Sequence, residues 1–344
     1  MAHKFRNDYS VLAHPRIIEA IEKFSNEYNV TYGEDIHSKR AAQYIKDIFG
    51  AKEAEVCFLS AGTQTNLVFI SLALKHYEGV ISPDSGHINV HETAAIGGNG
   101  YTIIPVQNKN GKISADQIRE TFALYNNEHM VKPKLVYISN STEYGTIYKK
   151  EELKDIYQTC HELGLYLYID GARLGNALTS KENDLIPSDI GKYSDAFYVG
   201  GAKNGLLLGE ALVINNKELQ KEYRYHLKNK GAMLSKGYLL GIEFEEAFKD
   251  GLYFELATHS NEMANIIKEE FIKLNIDLLD SPTNQIFATF QAKEAKLYIE
   301  EFGTEIWTVD QDKMTIRFVT SFATTINDVE ELVDYIKATH LSFM

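Results

Sequence analysis

Residues 165–178 read LYLYIDGARLGNAL, and this stretch decides the class of fold. An apolar run leads to Asp170, and Gly171 lets the chain turn sharply. Similar apolar runs recur earlier and later in the chain, at 55–60, 101–106, 134–139, 195–200 and 206–214. Helical patterns separate most of them, for example at 11–26, 40–49 and 150–163. Strands that are apolar throughout and alternate with helices predict an α/β fold with a mainly parallel sheet covered on both faces.

The pattern changes after about residue 245. Beyond it the sequence predicts helices at 260–276 and 326–340 and strands at 284–291 and 314–321. We therefore expect two domains: a large one over 1–245, which includes an N-terminal arm, and a small C-terminal α/β domain over 246–344. No Pro-, Gly- or Ser-rich linker marks the boundary between them.

Composition and charge argue against several classes of function. Acidic residues outnumber basic ones by 48 to 35, which is unlike a nucleic-acid-binding protein. The longest apolar runs are interrupted before a membrane span is complete, so we expect no membrane partner. The two cysteines, Cys57 and Cys160, form no CxxC pair, and no secretory leader is recognisable. A reducing cytoplasm is therefore the expected location.

A single lysine lies in the glycine-rich turn YVGGAKNG, residues 198–205. Lys203 follows the predicted strand at 195–200, which is one strand further along the chain than the strand that ends at Asp170. Most lysines lie on the surface, and this one could do so too. A nucleophilic lysine instead needs close approach of the backbone and surroundings that lower its pKa. The flanking glycines allow that approach.

Three other polar clusters follow predicted strands. In LSAGTQTNL (59–67), Gly62 and Thr63 open a helix whose free N–H groups would bind an anion, or Thr63 is an ordinary helix cap. Asp170 is either a helix cap or the partner of a protonated ring nitrogen. Arg173, three residues later, is suited to pair with a carboxylate or a phosphate.

The last cluster is SGHINVHETAA, residues 85–95. His87 and His91 are four residues apart and would share one face of a helix. A metal site would need further ligands, and the order HxxxHE differs from the zinc motif HExxH, so we expect no metal. An imidazole can instead lie on an aromatic ring or act as a general base. With the anion cup, Asp170 and Lys203, these are the parts of a pyridoxal-phosphate site with the lysine as Schiff base.

Six motifs in order resemble the low-specificity L-threonine aldolases. They are FRNDYS (5–10), YGED (32–35), SAGTQTN (60–66), GHINVHETAA (86–95), YIDGARLGNA (168–177) and GGAKNG (200–205). The resemblance runs from about residue 5 to about residue 320. It implies the aspartate-aminotransferase-like fold, which is fold type I of the pyridoxal-phosphate enzymes, with the cofactor bound by the large domain.

The resemblance also implies roles for individual residues. Lys203 would hold the cofactor, Asp170 would pair with the pyridine nitrogen, and His87 would stack on the ring, with Gly62 and Thr63 at the phosphate. Arg173 and Arg317 would lie near the substrate carboxylate. Lys228 would reach the phosphate bound by a neighbouring subunit, so a homodimer or homotetramer is expected. The implied reaction cleaves the Cα–Cβ bond of L-threonine, L-allo-threonine or a related β-hydroxy-α-amino acid to glycine and an aldehyde.

Two positions depart from the family pattern. Glu143, in NSTEYG (140–145), stands where these aldolases usually carry a histidine, and Asn7 stands where they usually carry a serine. A carboxylate can accept the β-hydroxyl proton if burial raises its pKa, whereas a solvated turn residue would not. Tyr32 and His91 are further candidates near the substrate, although His91 could simply pack a helix. β-Elimination, transamination, a non-catalytic cofactor-binding homologue and a metal protein built on His87 and His91 therefore stay open as alternatives.

Overall fold

The computed structural model describes residues 3–125, 127–341 and 343. It contains a sheet of seven strands and a sheet of four. The strands are β1 (Glu55–Leu59), β2 (Glu78–Pro83), β3 (Thr102–Val106), β4 (Lys132–Ser139), β5 (Tyr166–Asp170), β6 (Ala196–Gly200), β7 (Glu210–Ile214), β8 (Asp277–Leu278), β9 (Gln285–Gln291), β10 (Glu305–Asp310) and β11 (Lys313–Val319). The helices are α1 (Pro15–Lys23), α2 (Ile36–Ile48), α3 (Gly62–Ala73), α4 (His87–Val90), α5 (Ala95–Gly98), α6 (Ala115–Leu124), α7 (Lys150–Glu162), α8 (Leu174–Thr179), α9 (Pro187–Lys192), α10 (Tyr223–Asn229), α11 (Tyr238–Lys249), α12 (Leu252–Lys273), α13 (Ala292–Phe302) and α14 (Ile326–His340).

The large sheet is mainly parallel, which confirms the predicted fold class. Its strand order is β1-β7-β6-β5-β4-β2-β3, and the pairs β2–β3, β2–β4, β4–β5 and β5–β6 are parallel. β7 runs antiparallel to both of its neighbours, β1 and β6. The chain passes from β6 to β7 through residues 201–209 without a helix, so β7 must run back along β6. Lys203 lies in this connection.

Successive side chains of a strand point to opposite faces of a sheet, and the central strands place tyrosines on one face of the large sheet. Tyr137, Tyr168 and Tyr198 pack on the side of α3, whereas their neighbours Ile138 and Ile169 pack in the other apolar layer. All five side chains are at most 1% exposed. A buried phenol must find a hydrogen-bond partner, so the three hydroxyl groups converge on polar side chains inside the fold.

The second sheet is antiparallel, with the strand order β10-β11-β9-β8, and it carries its own apolar core. Phe271 of α12 and Phe318 of β11 lie in this core, and Phe5 from the N-terminal segment joins them. α12 bridges the two cores, because its Leu256 packs in the large core and its Ile267 in the small one. The domain boundary between 245 and 246 stays a prediction.

One edge of the large sheet collects the polar clusters. β1, β2, β4, β5 and β6 all point the same way, so their carboxyl ends meet there. The amino end of the antiparallel β7, which begins at Glu210, lies at the same edge. Sites in α/β sheets form at this position. Within the described ranges, we find no helix long and apolar enough to cross a membrane.

Candidate active site

A cavity of about 680 Å³ opens at this edge of the sheet. Its lining includes seven of the predicted site residues: Gly62, Thr63, His87, Glu143, Asp170, Arg173 and Lys203. Residues that were not predicted also line it, among them Tyr9, Ser139, Tyr198 and Glu210. Within residues 3–125, 127–341 and 343, no group of three His, Cys, Asp or Glu side chains is arranged to hold a metal ion.

Lys203 lies in a tight turn that only glycine permits. A Cβ on Gly201 would lie 2.6 Å from the carbonyl oxygen of Gly209, and Gly205 has a φ of +87°. Burial and the nearby Arg173 guanidinium lower the pKa of the Lys203 amine, although Asp8, Asp170 and Glu210 oppose this. A lowered pKa increases the share of neutral, nucleophilic amine.

Glu210 is a buried carboxyl group beside Lys203 that sequence reasoning missed. Its Oε2 accepts a hydrogen bond from the N–H of Gly201 at 2.9 Å. Burial raises the pKa of Glu210 to about 8, and the lysine opposes the rise. An acidic residue inside the otherwise apolar run LLLGEALVI (206–214) was the signal available in the sequence.

Asp170 is held by four hydrogen-bond donors at the end of β5. Oδ1 accepts from Tyr198 Oη at 2.5 Å and from the N–H of Ala172 at 3.0 Å. Oδ2 accepts from Tyr137 Oη at 2.6 Å and from Asn66 Nδ2 at 3.1 Å. These bonds fix the carboxylate at the floor of the cavity.

His87 begins α4 and is oriented by a second buried carboxylate. Its Nδ1 lies 2.8 Å from Glu92 Oε1, which also accepts from Asn66 Nδ2 at 2.8 Å. We assign the His87 proton to Nδ1, because a carboxylate can only accept. Asn66 thus bridges Glu92 and Asp170. The ring of His91 lies 5.5 Å from that of His87, so the two histidines are neighbours as expected.

Glu143 is not a solvated turn residue. Its Oε1 accepts from the N–H of His87 at 2.9 Å and from Ser139 Oγ at 2.8 Å. Its Oε2 is buried and has no hydrogen-bond partner among the described residues. Burial raises the pKa of Glu143, and the charge of Asp170 adds to the rise. The side chain therefore combines a free acceptor atom with a higher than usual affinity for a proton.

The amino end of α3 faces the cavity at Gly62 and Thr63. Ala61 is the N-cap, and no side chain caps the helix, so the alternative that Thr63 is the capping residue is wrong. The first N–H groups of the 12-residue helix are therefore left for an anion. A Cβ on Gly62 would lie only 3.2 Å from Tyr198 Oη, so glycine keeps this approach open.

Arg173 is oriented by Asp8, which was not predicted as a site residue. Nε donates to Asp8 Oδ2 at 2.7 Å and Nη2 donates to Oδ1 at 3.0 Å. Asp8 also accepts from Asn284 Nδ2 at 2.9 Å. Burial opposes ionisation of Asp8, but Arg173 and Lys203 together hold its pKa below the usual range. This pair leaves Arg173 Nη1 outside the bidentate contact, and Arg173 lines the cavity.

Asn7 and Arg317 lie beside the cavity lining rather than in it. Asn7 Oδ1 accepts from the N–H of Tyr9 and from Ser10 Oγ, which orders the N-terminal segment over the cavity. Arg317 Nη1 donates to Gln285 at 3.1 Å and Nη2 donates to Glu305 at 2.5 Å. Its Nε is buried without a partner among the described residues. Burial and the neighbouring Arg173 lower the pKa of Arg317.

Tyr32 and Lys228 lie on a different surface of the chain. Lys228 Nζ is 5.0 Å from the ring centroid of Tyr32, and both line a shallow depression together with Arg224, Tyr225 and Met233. Neither residue lines the cavity that contains Lys203. Their assignment to the active site therefore requires a second subunit and stays a prediction.

Comparison with known proteins agrees with this geometry. A family model described as "Beta-eliminating lyase" matches residues 14–293. The chain belongs to the beta-eliminating lyase family. Low specificity L-threonine aldolase from a Pseudomonas species is 32% identical over 257 residues, which cover 74% of this chain and 73% of that protein.

Solved structures of similar proteins agree with the membership in the beta-eliminating lyase family. A threonine aldolase from Leishmania major superposes with a TM-score of 0.95 and 40% identity, with 98% of each chain covered. Thermus thermophilus aspartate aminotransferase superposes with a TM-score of 0.73 at 12% identity, covering 98% of this chain and 91% of that one, and so shares the fold. The predicted family, fold type, lyase class and cofactor are confirmed.

The residues of this chain fit pyridoxal phosphate. The cavity supplies an amine of lowered pKa at Lys203, a fixed carboxylate at Asp170, a flat ring at His87 and uncapped N–H groups at the start of α3. The absence of a Cβ at Gly62 keeps the approach to those N–H groups open. In the same order, these groups match the aldehyde, ring nitrogen, ring face and phosphate of that cofactor.

Proposed function

We propose that this lyase cleaves the Cα–Cβ bond of L-threonine, L-allo-threonine or a related β-hydroxy-α-amino acid, releasing glycine and an aldehyde. The observation that carries the proposal is Glu143, a buried carboxyl group in the same cavity as Lys203 and Asp170. Cleavage of the Cα–Cβ bond requires a base for the β-hydroxyl proton, and Glu143 would be that base. The names of the Pseudomonas and Leishmania relatives support the same reaction.

The cavity would hold the cofactor through four of the chain's own groups. Lys203 would bind it covalently, Asp170 would hold the proton on its ring nitrogen, and His87 would cover one face of the ring. The N–H groups at Gly62 and Thr63 would bind its phosphate. When bound, pyridoxal phosphate supplies an electron-poor ring that stabilises the negative charge left on Cα as the Cα–Cβ bond breaks.

The protein would position the amino acid and move its proton. Arg173, held by Asp8, offers Nη1 to the substrate carboxylate, and Arg317 adds positive charge beside it. Glu143 accepts the β-hydroxyl proton on its carboxylate while the Cα–Cβ electron pair moves to Cα and the aldehyde forms. By fixing the substrate carboxylate, Arg173 would also orient the substrate so that the Cα–Cβ bond is the one that breaks.

The assembly and location are part of the proposal. We expect a homodimer or a homotetramer, in which Tyr32 and Lys228, which do not line their own chain's cavity, would serve the cavity of a neighbouring subunit. A cytoplasmic location fits two free cysteines, Cys57 and Cys160, neither of which is paired in a disulfide. The cofactor would be bound mainly by a large domain over 1–245.

Product analysis tests the reaction. The purified enzyme with added pyridoxal phosphate is incubated with L-threonine or L-allo-threonine, and acetaldehyde, glycine, 2-oxobutanoate and ammonia are measured together. We expect acetaldehyde and glycine in equal amounts. Glu143→Gln should lower kcat by about 10²- to 10⁴-fold. Glu262→Gln, on the exposed side of α12, is the matched control and should keep wild-type rates. 2-Oxobutanoate and ammonia as main products would instead indicate β-elimination.

A further inference from the structure

β4 carries two hydroxyl side chains toward the floor of the cavity. Tyr137 and Ser139 are two positions apart and therefore point to the same side of the sheet. In the register of the sheet, Ser139 lies opposite Asp170 of β5. Both side chains are at least 95% buried. They occupy the space between Asp170 and Glu143, which are the two carboxyl groups of the proposed reaction.

The hydrogen bonds between Asp170 and Glu143 leave the hydroxyl proton of Ser139 with two possible acceptors. Tyr137 Oη donates its proton to Asp170 Oδ2 at 2.6 Å, so its oxygen can only accept from other groups. Ser139 Oγ lies 2.8 Å from Glu143 Oε1 and 3.2 Å from Tyr137 Oη. A serine hydroxyl has a single proton, so it donates to one of these oxygens at a time.

The protonation of Glu143 decides which acceptor is better. An ionised carboxylate is a much stronger acceptor than a phenol oxygen, so the Ser139 proton points to Glu143 before the reaction. Glu143 Oε2 is the atom without a partner among the described residues and is free to receive the substrate proton. Once Oε2 is protonated, Oε1 becomes a weak acceptor, and Tyr137 Oη competes for the Ser139 proton.

We propose that Ser139 is a positioning residue for Glu143: its hydroxyl stabilises the ionised carboxylate before proton transfer and turns to Tyr137 Oη afterwards. The role in catalysis rests on the proposed function, because it needs Glu143 to act as the base. The hydrogen bond from Ser139 to Glu143 does not depend on the proposed function, since it is present in the chain without substrate or cofactor.

The surroundings of Glu143 make this one donor important. Burial and Asp170 favour the protonated form, and the backbone N–H of Glu143 itself, the Ser139 hydroxyl and the His87 N–H oppose them. Other titratable groups that interact with Glu143 are Arg173, whose positive charge is already paired with Asp8, and the phenols of Tyr137 and Tyr148. The side chains of His87 and Lys203 line the same cavity. Removal of the Ser139 hydroxyl takes away a side-chain donor to Glu143 and leaves two backbone N–H groups, those of Glu143 and His87, against the two forces that favour protonation.

Ser139→Ala should therefore raise the pKa of Glu143. A hydrogen bond to a charged group corresponds to a shift of about one to two pKa units. A base must be ionised to accept a proton, so the acidic limb of kcat/KM should move to higher pH by the same amount. At a pH below that limb the variant should be about 10-fold or more slower, and at alkaline pH it should approach the wild type.

Two measurements test the inference. The first follows the infrared carbonyl band of the protonated carboxylic acid against pH in the full-length, cofactor-free chain, and Glu143→Gln identifies the band. The second is the pH profile of kcat/KM of the holoenzyme. Ser194→Ala is the matched control, because Ser194, two residues before β6, is a similarly buried serine whose hydroxyl donates to the Ile190 carbonyl at 2.7 Å.

We expect the infrared midpoint and the acidic limb to move up together in Ser139→Ala and to stay in place in Ser194→Ala. An unchanged midpoint, with activity lowered equally at every pH, would overturn the inference and leave Ser139 a purely structural residue. A raised midpoint in an enzyme whose wild type forms no acetaldehyde and glycine would support the hydrogen bond but overturn both the proposed function and the catalytic role of Ser139.

Discussion

Glu243 connects α11 to the loop that follows Lys203, and its replacement should stabilise the protein at neutral and alkaline pH. The side chain is fully buried, and its Oε2 accepts from the N–H groups of Leu207 at 2.7 Å and Leu208 at 3.3 Å. Its Oε1 is buried without a partner among the described residues. Both leucines line the active-site cavity. Burial raises the pKa of Glu243 to about 7, although the two N–H groups oppose the rise.

The magnitude follows from proton linkage. In the unfolded chain Glu243 loses its proton near its ordinary pKa of 4.5, whereas the folded chain keeps it up to about pH 7. Stability is therefore fully present below pH 4.5 and is lost as the pH rises through 7. Between pH 5 and pH 8 the loss amounts to about 2 to 3 kcal/mol. Glu243→Gln keeps an acceptor oxygen for the loop but cannot ionise, so it should avoid this loss.

Urea unfolding at several pH values between 5 and 8 measures the effect. The free energy of unfolding of Glu243→Gln, relative to wild type, should become more favourable by about 2 to 3 kcal/mol across this range. Glu262→Gln, a substitution at an exposed position of α12, should show the same pH dependence of the free energy of unfolding as wild type. The reasoning would be refuted if the difference in free energy of unfolding between Glu243→Gln and wild type stayed constant, or became less favourable to the variant, as the pH rises.

Two further predictions concern buried charges. Asp8→Ala leaves the guanidinium of Arg173 without its bidentate partner, so it should lower the free energy of unfolding by about 3 to 5 kcal/mol in urea titrations. Adding Arg173→Ala to Asp8→Ala should recover part of the lost free energy of unfolding. If the effects of the two single substitutions simply added in the double variant, the proposed interaction between Asp8 and Arg173 would be contradicted. Burial lowers the pKa of His37, but bonds to Glu27 and Glu245 raise it above its usual value overall. His37→Gln should therefore cost more stability at pH 6 than at pH 9, and an equal cost at both would contradict this charge assignment.

Regular apolar patterns made most of the fold predictable. The strands that became β1, β4, β5 and β6 are short apolar runs, and α14 was predicted at its observed bounds, 326–340. β2 was missed because EGVISP begins with a charge and a glycine and has no long apolar run. β10 and α13 were missed because β10 is largely exposed and α13 follows β9 without a turn signal. The reversed direction of β7 depends on pairing, which local patterns do not encode.

The grouping of residues in one cavity was predictable where one motif carries both the turn and the polar side chain, as at Lys203, Asp170 and His87, whereas the roles of these residues stay predictions. The residues that orient these groups were not predictable, because they come from distant segments. Asn66 reaches Asp170 across 104 positions of sequence, and Asp8 reaches Arg173 across 165. Such contacts depend on which strands are neighbours, and a single sequence does not state this.

Reduction of the enzyme with borohydride, followed by peptide mass analysis, tests the central claim most directly. The reaction fixes pyridoxal phosphate on the lysine that binds it. Lys268 is an internal control, because burial lowers its pKa to about 8, yet its amine is engaged by the carbonyl oxygens of Ser281 and Thr283. The account predicts a label on Lys203 alone, and no label after Lys203→Ala. A label on Lys268 or another lysine in the wild type would contradict it.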